Sequence, residues 1–126
     1  MTWDELAIDM LKAAKALLDA HPRSAASRAY YAAHIALARV LEQHGFTPDR
    51  GYSTQQHRRQ SRLIGQYLGH LGAQGIRSMR QLFSRLYARR IDSDYVRRVT
   101  INRQIALESV RDASAVFVAL GLQEVA

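Results

Sequence analysis

The chain has 126 residues, 48% of them hydrophobic, a length and composition that suit one globular domain spanning 1–126. It carries a formal net charge of +7 and no cysteine, which excludes a disulfide framework and any thiolate metal site. The opening MTWDELAIDM has acidic side chains and no basic n-region, so it does not read as a secretory signal. No stretch approaches the roughly 18 to 20 apolar residues needed to cross a bilayer, and a cytoplasmic protein with no membrane role is the expectation.

Thr2 and Glu5 spell a T-x-x-E capping box, and Trp3, Leu6, Ala7, Met10, Leu11, Ala14, Leu17 and Leu18 then repeat as one apolar stripe. This predicts a first helix that ends at His21-Pro22, because the residue before proline is pushed out of helical geometry. A second helix is expected from near Ser24 to His44, stopped by Gly45 and buried through Ala26, Tyr30, Ala33, Leu37 and Leu41. Seven alanines between Ala25 and Ala38 would let another helix, or another subunit, approach closely.

A loop over 46–53 precedes a third helix, expected from Thr54 as its cap to about Leu71, with Gly72 and Gly75 bracketing a turn. The fourth helix is expected from about Arg77 to Arg90, packing through Met79, Leu82, Phe83, Leu86 and Tyr87. The polar stretch 91–101 reads as a helix break. Asn102 then caps a last helix with Ala106, Val110, Ala113, Phe117 and Leu120 inward and Gly121 as its stop. No segment alternates as a strand, so the fold class is all-α, a bundle of four to five helices.

The charge is uneven. Residues 50–103 hold twelve basic side chains against only Asp92 and Asp94, and every basic residue but Lys12 and Lys15 is arginine, whose planar fork suits phosphate. A solvated surface, a phosphate-bearing partner or an acidic protein would each suit such a stretch.

Three constellations could carry chemistry. On the second helix Ser27, Tyr31 and His34 share a face, while Arg28 and His34, six apart, diverge by about 120° and would converge only across a two-fold axis. His34 is either a buried histidine bonded to tyrosine or a proton-exchanging group. Arg89, Arg90, Asp92, Asp94 and Tyr95 form either a helix-end ion pair or a place to hold a phosphate and orient a base. Arg58, Arg59 and Arg62 follow His57 and make a stripe that either meets a nucleic-acid backbone or is solvated, with His57 a second acid/base candidate. There is no Walker loop, G-x-G-x-x-G or H-E-x-x-H. The five histidines, His21, His34, His44, His57 and His70, form no metal-ligand spacing, so neither metal nor cofactor is expected.

The segment Ser24-Ala-Ala-Ser-Arg-Ala-Tyr-Tyr-Ala-Ala-His34 resembles the S-x-x-S-R-x-Y-Y-A stretch, followed by histidine, on the second helix of the HEPN family. Ser53 to His57 sits where small stand-alone prokaryotic members often open the next helix with a polar pair, and Arg89 to Tyr95 resembles their arginine-x-x-x-aspartate-tyrosine region. The resemblance implies an antiparallel helical bundle that forms a homodimer, often encoded beside a minimal nucleotidyltransferase that acts as antitoxin. It also implies a toxin that is commonly a metal-independent ribonuclease. Family ribonucleases use a late R-x(4–6)-H motif; here Arg89 is followed by Asp94-Tyr95, and no histidine occurs after His70.

Two readings follow. In the first, an endoribonuclease toxin, His34 or His57 moves protons, Arg28 and Arg89 stabilise phosphorane charge, Asp94 helps hold the phosphate or orient the base, and Tyr95 positions substrate. In the second, a non-catalytic HEPN subunit binds a nucleotide, an RNA or a nucleotidyltransferase through its arginines, with Arg58, Arg59, Arg62 and Arg90 contacting phosphate. A plain helical scaffold is the third possibility.

Overall fold

The computed structural model describes residues 1–47 and 57–122, with the side chains of all of these except His57 and Arg58. Five α-helices follow one another: α1 (Trp3–Ala16), α2 (Pro22–Gln43), α3 (His57–Tyr67), α4 (Gly72–Tyr95) and α5 (Arg103–Ala119), with a single 3-10 turn at Gly69–Leu71 before α4.

Local signals account for most of the boundaries. Thr2 Oγ1 accepts from the Glu5 amide and Glu5 returns a bond to the Thr2 amide, both at 3.0 Å. Asn102 likewise accepts from the Ile105 amide at the start of α5. Pro22 does not terminate α1, which ends at Ala16. Instead it opens α2, where a missing N–H costs nothing and the fixed φ favours the helix. At the other end of α2 the chain turns through Gly45 (φ 100°), a conformation that glycine adopts without steric cost.

Two expected boundaries shift. Gly72, at φ 75°, is the turning point before α4, but Gly75 lies inside that helix, which starts five residues earlier than periodicity suggests. The expected break at 91 is also absent, because α4 continues to Tyr95 and the break falls over 96–102. An arginine from α2 holds that extra turn, as described below. The Thr54 cap lies outside the described residues.

Helix α2 is the centre of the bundle, packing against α1, α5 and α4, while α3 lies against α4. Six of its seven alanines are buried within the chain, so the small side chains serve to bring three neighbours close to one helix. Side-chain pairs fix the direction of packing. Ser27 meets Asp94 and Tyr31 meets Arg90, so α4 runs antiparallel to α2. Arg85 and Arg89 meet Asp112 and Ser109, so α5 runs antiparallel to α4. The core is filled by Leu11, Tyr30, Leu37, Leu41, Ile64, Phe83, Leu86 and Phe117. Trp3, expected in the apolar stripe of α1, is instead 60% exposed, since the first helical position overhangs the end of α2. Among the described residues no helix is long and apolar enough to cross a membrane.

Candidate functional site

The N-terminal half of α2 and the last turn of α4 enclose an open cleft of about 330 Å³. Ser24, Ser27, Arg28 and Tyr31 line it from α2, Ser93 and Asp94 from α4, and Met10 closes it from α1. These are residues of the two motifs singled out in the sequence, brought to one place by antiparallel packing.

Arg90 organises the wall. It donates to the Tyr31 hydroxyl at 2.7 Å and pairs with Asp94 at 3.1 Å, one helical turn on. Asp94 also accepts from Ser27 at 3.2 Å. The guanidinium lies 5.4 Å from the centre of the Tyr31 ring and 5.3 Å from that of Tyr95, within cation–π range of both. Burial alone would weaken the Arg90 charge. The Tyr31 hydroxyl, with Tyr95 and Asp94, outweighs that burial and leaves its pKa raised. Arg90 is therefore a fixed cation whose charge is largely committed to its neighbours.

Arg28 is different. It is exposed at the cleft, and it makes no hydrogen bond or ion pair among the described residues. Ser93 Oγ, buried in the same lining, also has no hydrogen-bond partner there. Tyr95, 69% exposed, is next to Asp94 in the chain and holds its ring against Arg90, behind the cleft wall.

Arg23, which also lines the cleft, reaches from the first turn of α2 to the end of α4. It donates to the carbonyl oxygens of Asp92 and Ser93, both at 2.9 Å, of Val96 at 3.2 Å and of Arg97 at 3.4 Å, and also to that of Val99. Carbonyls at a helix C-terminus run short of intrahelical donors, and here one guanidinium serves Ser93, Arg97 and Val99 and adds to the bonds that Asp92 and Val96 accept from the Val96 and Val99 amides.

His34 does not face this cleft. It lies further along α2 toward the C-terminal end of that helix, in a separate small pocket of about 180 Å³ with Trp3, Ile35, Ala38, Arg39 and Glu42. Its Nδ1 accepts from the amide nitrogen of Gln60, whose oxygen in turn accepts from the buried Tyr30 hydroxyl at 3.3 Å. Burial, with a smaller contribution from the Arg90 charge, lowers the His34 pKa to about 4. Burial also raises Tyr30 to about 12. The triad is a neutral polar network inside the core, satisfied by Gln60, which is fully buried.

The remaining candidates scatter. Arg89 turns toward α5, 2.8 Å from Asp112 and 3.3 Å from Ser109. Arg59 lies over the Phe46 ring at 5.8 Å, and Arg62 is exposed on α3. The side chains of His57 and Arg58 lie outside the described residues. Among the described residues no three His, Asp or Glu side chains gather where they could hold a metal ion.

Residues 1–122 are matched by a family model described as the HEPN domain. The chain belongs to the HEPN family. No curated protein and no solved structure gives a significant match to it. In this HEPN chain Ser27, Arg28, Tyr31, Arg90, Asp94 and Tyr95 converge, whereas His34 and Arg89 are directed elsewhere. Arg23, Gln60 and Ser93 were not singled out by sequence reasoning. Gln60, in a helix rich in arginine, carries no local signal that it turns inward.

Proposed function

We propose that this HEPN protein binds RNA or a nucleotide through the α2/α4 cleft without cleaving it, as a non-catalytic, homodimeric subunit working beside a nucleotidyltransferase. The observation that supports this most is the separation of Arg28 from His34. Arg28 offers an uncommitted charge to a phosphate, with Ser24 and Ser27 in the same lining, and the exposed Tyr95 ring, held against Arg90 and next in the chain to the lining residue Asp94, is available to stack a base. The only second-helix histidine sits in another pocket, buried and with a pKa near 4, poorly suited to give up a proton at neutral pH.

The ribonuclease reading draws on family membership. It assigns proton transfer to His34 or His57 and charge stabilisation to Arg28 and Arg89, with pairing across a dimer. The late R-x(4–6)-H motif on which family ribonucleases rely has no counterpart here.

One experiment separates the two. Purified protein is incubated with total RNA in EDTA and its affinity for RNA is measured in parallel, for wild type and for Arg28→Gln. The binding reading expects intact RNA and a salt-sensitive affinity that Arg28→Gln weakens. RNA cleavage by wild type, lost in an Arg28→Ala/His34→Ala double variant, would replace it with the ribonuclease reading.

A further inference from the structure

A second feature lies on the opposite flank of α4. Residues 57–91 contain eight arginines and no aspartate or glutamate. Helices α3 and α4 within this stretch bound an open groove of about 670 Å³, lined by Ser61 and Gly65 from α3 and by Ile76, Arg77, Arg80, Gln81 and Ser84 among the residues of α4. It shares no lining residue with the α2/α4 cleft.

Three arginines of the stretch are committed elsewhere: Arg85 and Arg89 to Asp112, Arg90 to Asp94 and Tyr31. The two in the groove are not neutralised. Arg77 is exposed and makes no hydrogen bond or ion pair among the described residues. Arg80 donates through Nε to the Ser61 carbonyl at 3.0 Å, which steadies the side chain but leaves its charge uncancelled. Its terminal nitrogens cross α3 at Gly65, where any Cβ would collide with the guanidinium. A glycine in the middle of α3 is thus what lets Arg80 lie across the helix. The tether presents a pre-oriented cationic fork, the geometry that phosphate oxygens accept in pairs.

We propose that the α3/α4 groove is a second nucleic-acid site, separate from the α2/α4 cleft, that tracks the sugar–phosphate backbone of single-stranded RNA independently of sequence. Arg77, Arg80, Gln81 and Ser84 recur on one face of α4 over about 10 Å of helix axis, room for more than one phosphate. The groove offers hydrogen-bond donors and charge, with Ile76 its only large apolar lining residue. A protein partner would be expected to find aromatic or apolar anchors there, and they are missing. The inference does not depend on the α2/α4 cleft reading.

The test is fluorescence polarisation of a labelled oligouridylate against the full chain over a range of salt. Arg77→Gln and Gln81→Glu are compared with wild type, both at exposed positions that leave the Arg80 tether in place. Loss of one phosphate contact should weaken binding about fivefold near 0.1 M salt and flatten the log K against log salt slope by about 0.7. Arg77→Gln and Gln81→Glu that both bind as wild type while Arg28→Gln weakens binding would overturn the groove and leave the cleft. Weakened binding in the groove variants with Arg28→Gln unaffected would support the groove and count against the cleft. A wild-type chain that ignores oligouridylate but binds polyglutamate in an Arg77-dependent way would overturn the proposal in favour of an acidic protein partner.

Discussion

Arg23, in the first turn of α2, donates to the backbone oxygen of Asp92, 2.9 Å away and sixty-nine residues later in the chain. The same guanidinium holds Ser93 and three further carbonyls of the segment that follows, and so extends α4 to the point where Asp94 and Tyr95 meet α2. The shape of the cleft therefore depends on a lining side chain whose guanidinium is committed to the backbone at the end of α4.

Replacing Arg23 by alanine removes the side-chain donor from all five carbonyls, although Asp92 and Val96 still accept from the amides of Val96 and Val99. Hydrogen bonds from a charged group contribute more than neutral ones, so the loss should be about 2–3 kcal/mol in urea unfolding. Lysine, a single ammonium that cannot span the set, should recover only part of it. An unchanged unfolding midpoint in Arg23→Ala would show that the clamp does not hold the end of α4.

Arg89 offers a contrast with Arg28. Its guanidinium is committed to Asp112 and Ser109 across the α4–α5 seam, with only 15% of either charged side chain exposed. Arg89→Ala should lower stability by about 1–2 kcal/mol, moderated because Arg85 still reaches Asp112. It should leave RNA affinity as in wild type. If affinity falls while the melting temperature holds, Arg89 belongs to the binding surface after all.

The fold was legible wherever a local rule decides the outcome. The Thr2–Glu5 box, the Asn102 cap, Gly45 and the alanine-rich face of α2 each act within a few residues. What could not be read were contacts between distant segments. The polar run after Arg90 looks like a break until Arg23 is seen to supply its donors. His34 reads from the sequence either as a buried histidine bonded to tyrosine or as a proton-exchanging group, and it is Gln60, from another helix, that is found against it. Arg28, Asp94 and Tyr95 were legible as candidates, but their convergence, and the exclusion of Arg89, depend on the pairing of α2 with α4 and of α4 with α5.

His34 gives a pH signature. Its ring has a pKa of about 4 in the folded chain, against an ordinary value of 6.5. Above pH 6.5 both states are neutral at this site and the full stability is kept. As pH falls below that, the unfolded chain takes up a proton that the folded chain refuses, so stability drops until about pH 4, by about 3 kcal/mol. His34→Gln, which can still face Gln60, should flatten this part of a stability–pH profile. An NMR titration placing the His34 ring near 6.5 would contradict the buried neutral assignment.

Gly65 separates packing from binding. Alanine is favoured over glycine in a helix interior by about 0.8–1.0 kcal/mol, so Gly65→Ala should strengthen α3 on propensity alone. Its methyl, however, occupies the path of the Arg80 guanidinium. Arg80 is exposed and able to swing away, giving up its bond to the Ser61 carbonyl, a loss of about 1 kcal/mol that roughly cancels the gain. Thermal unfolding should therefore stay within about 0.5 kcal/mol of wild type, the difference between those two contributions. Oligouridylate affinity should fall as it does for Arg77→Gln, because the cationic fork is no longer held over the groove. If Gly65→Ala melts like wild type and binds like it, the placement of Arg80 over α3 has no part in RNA recognition.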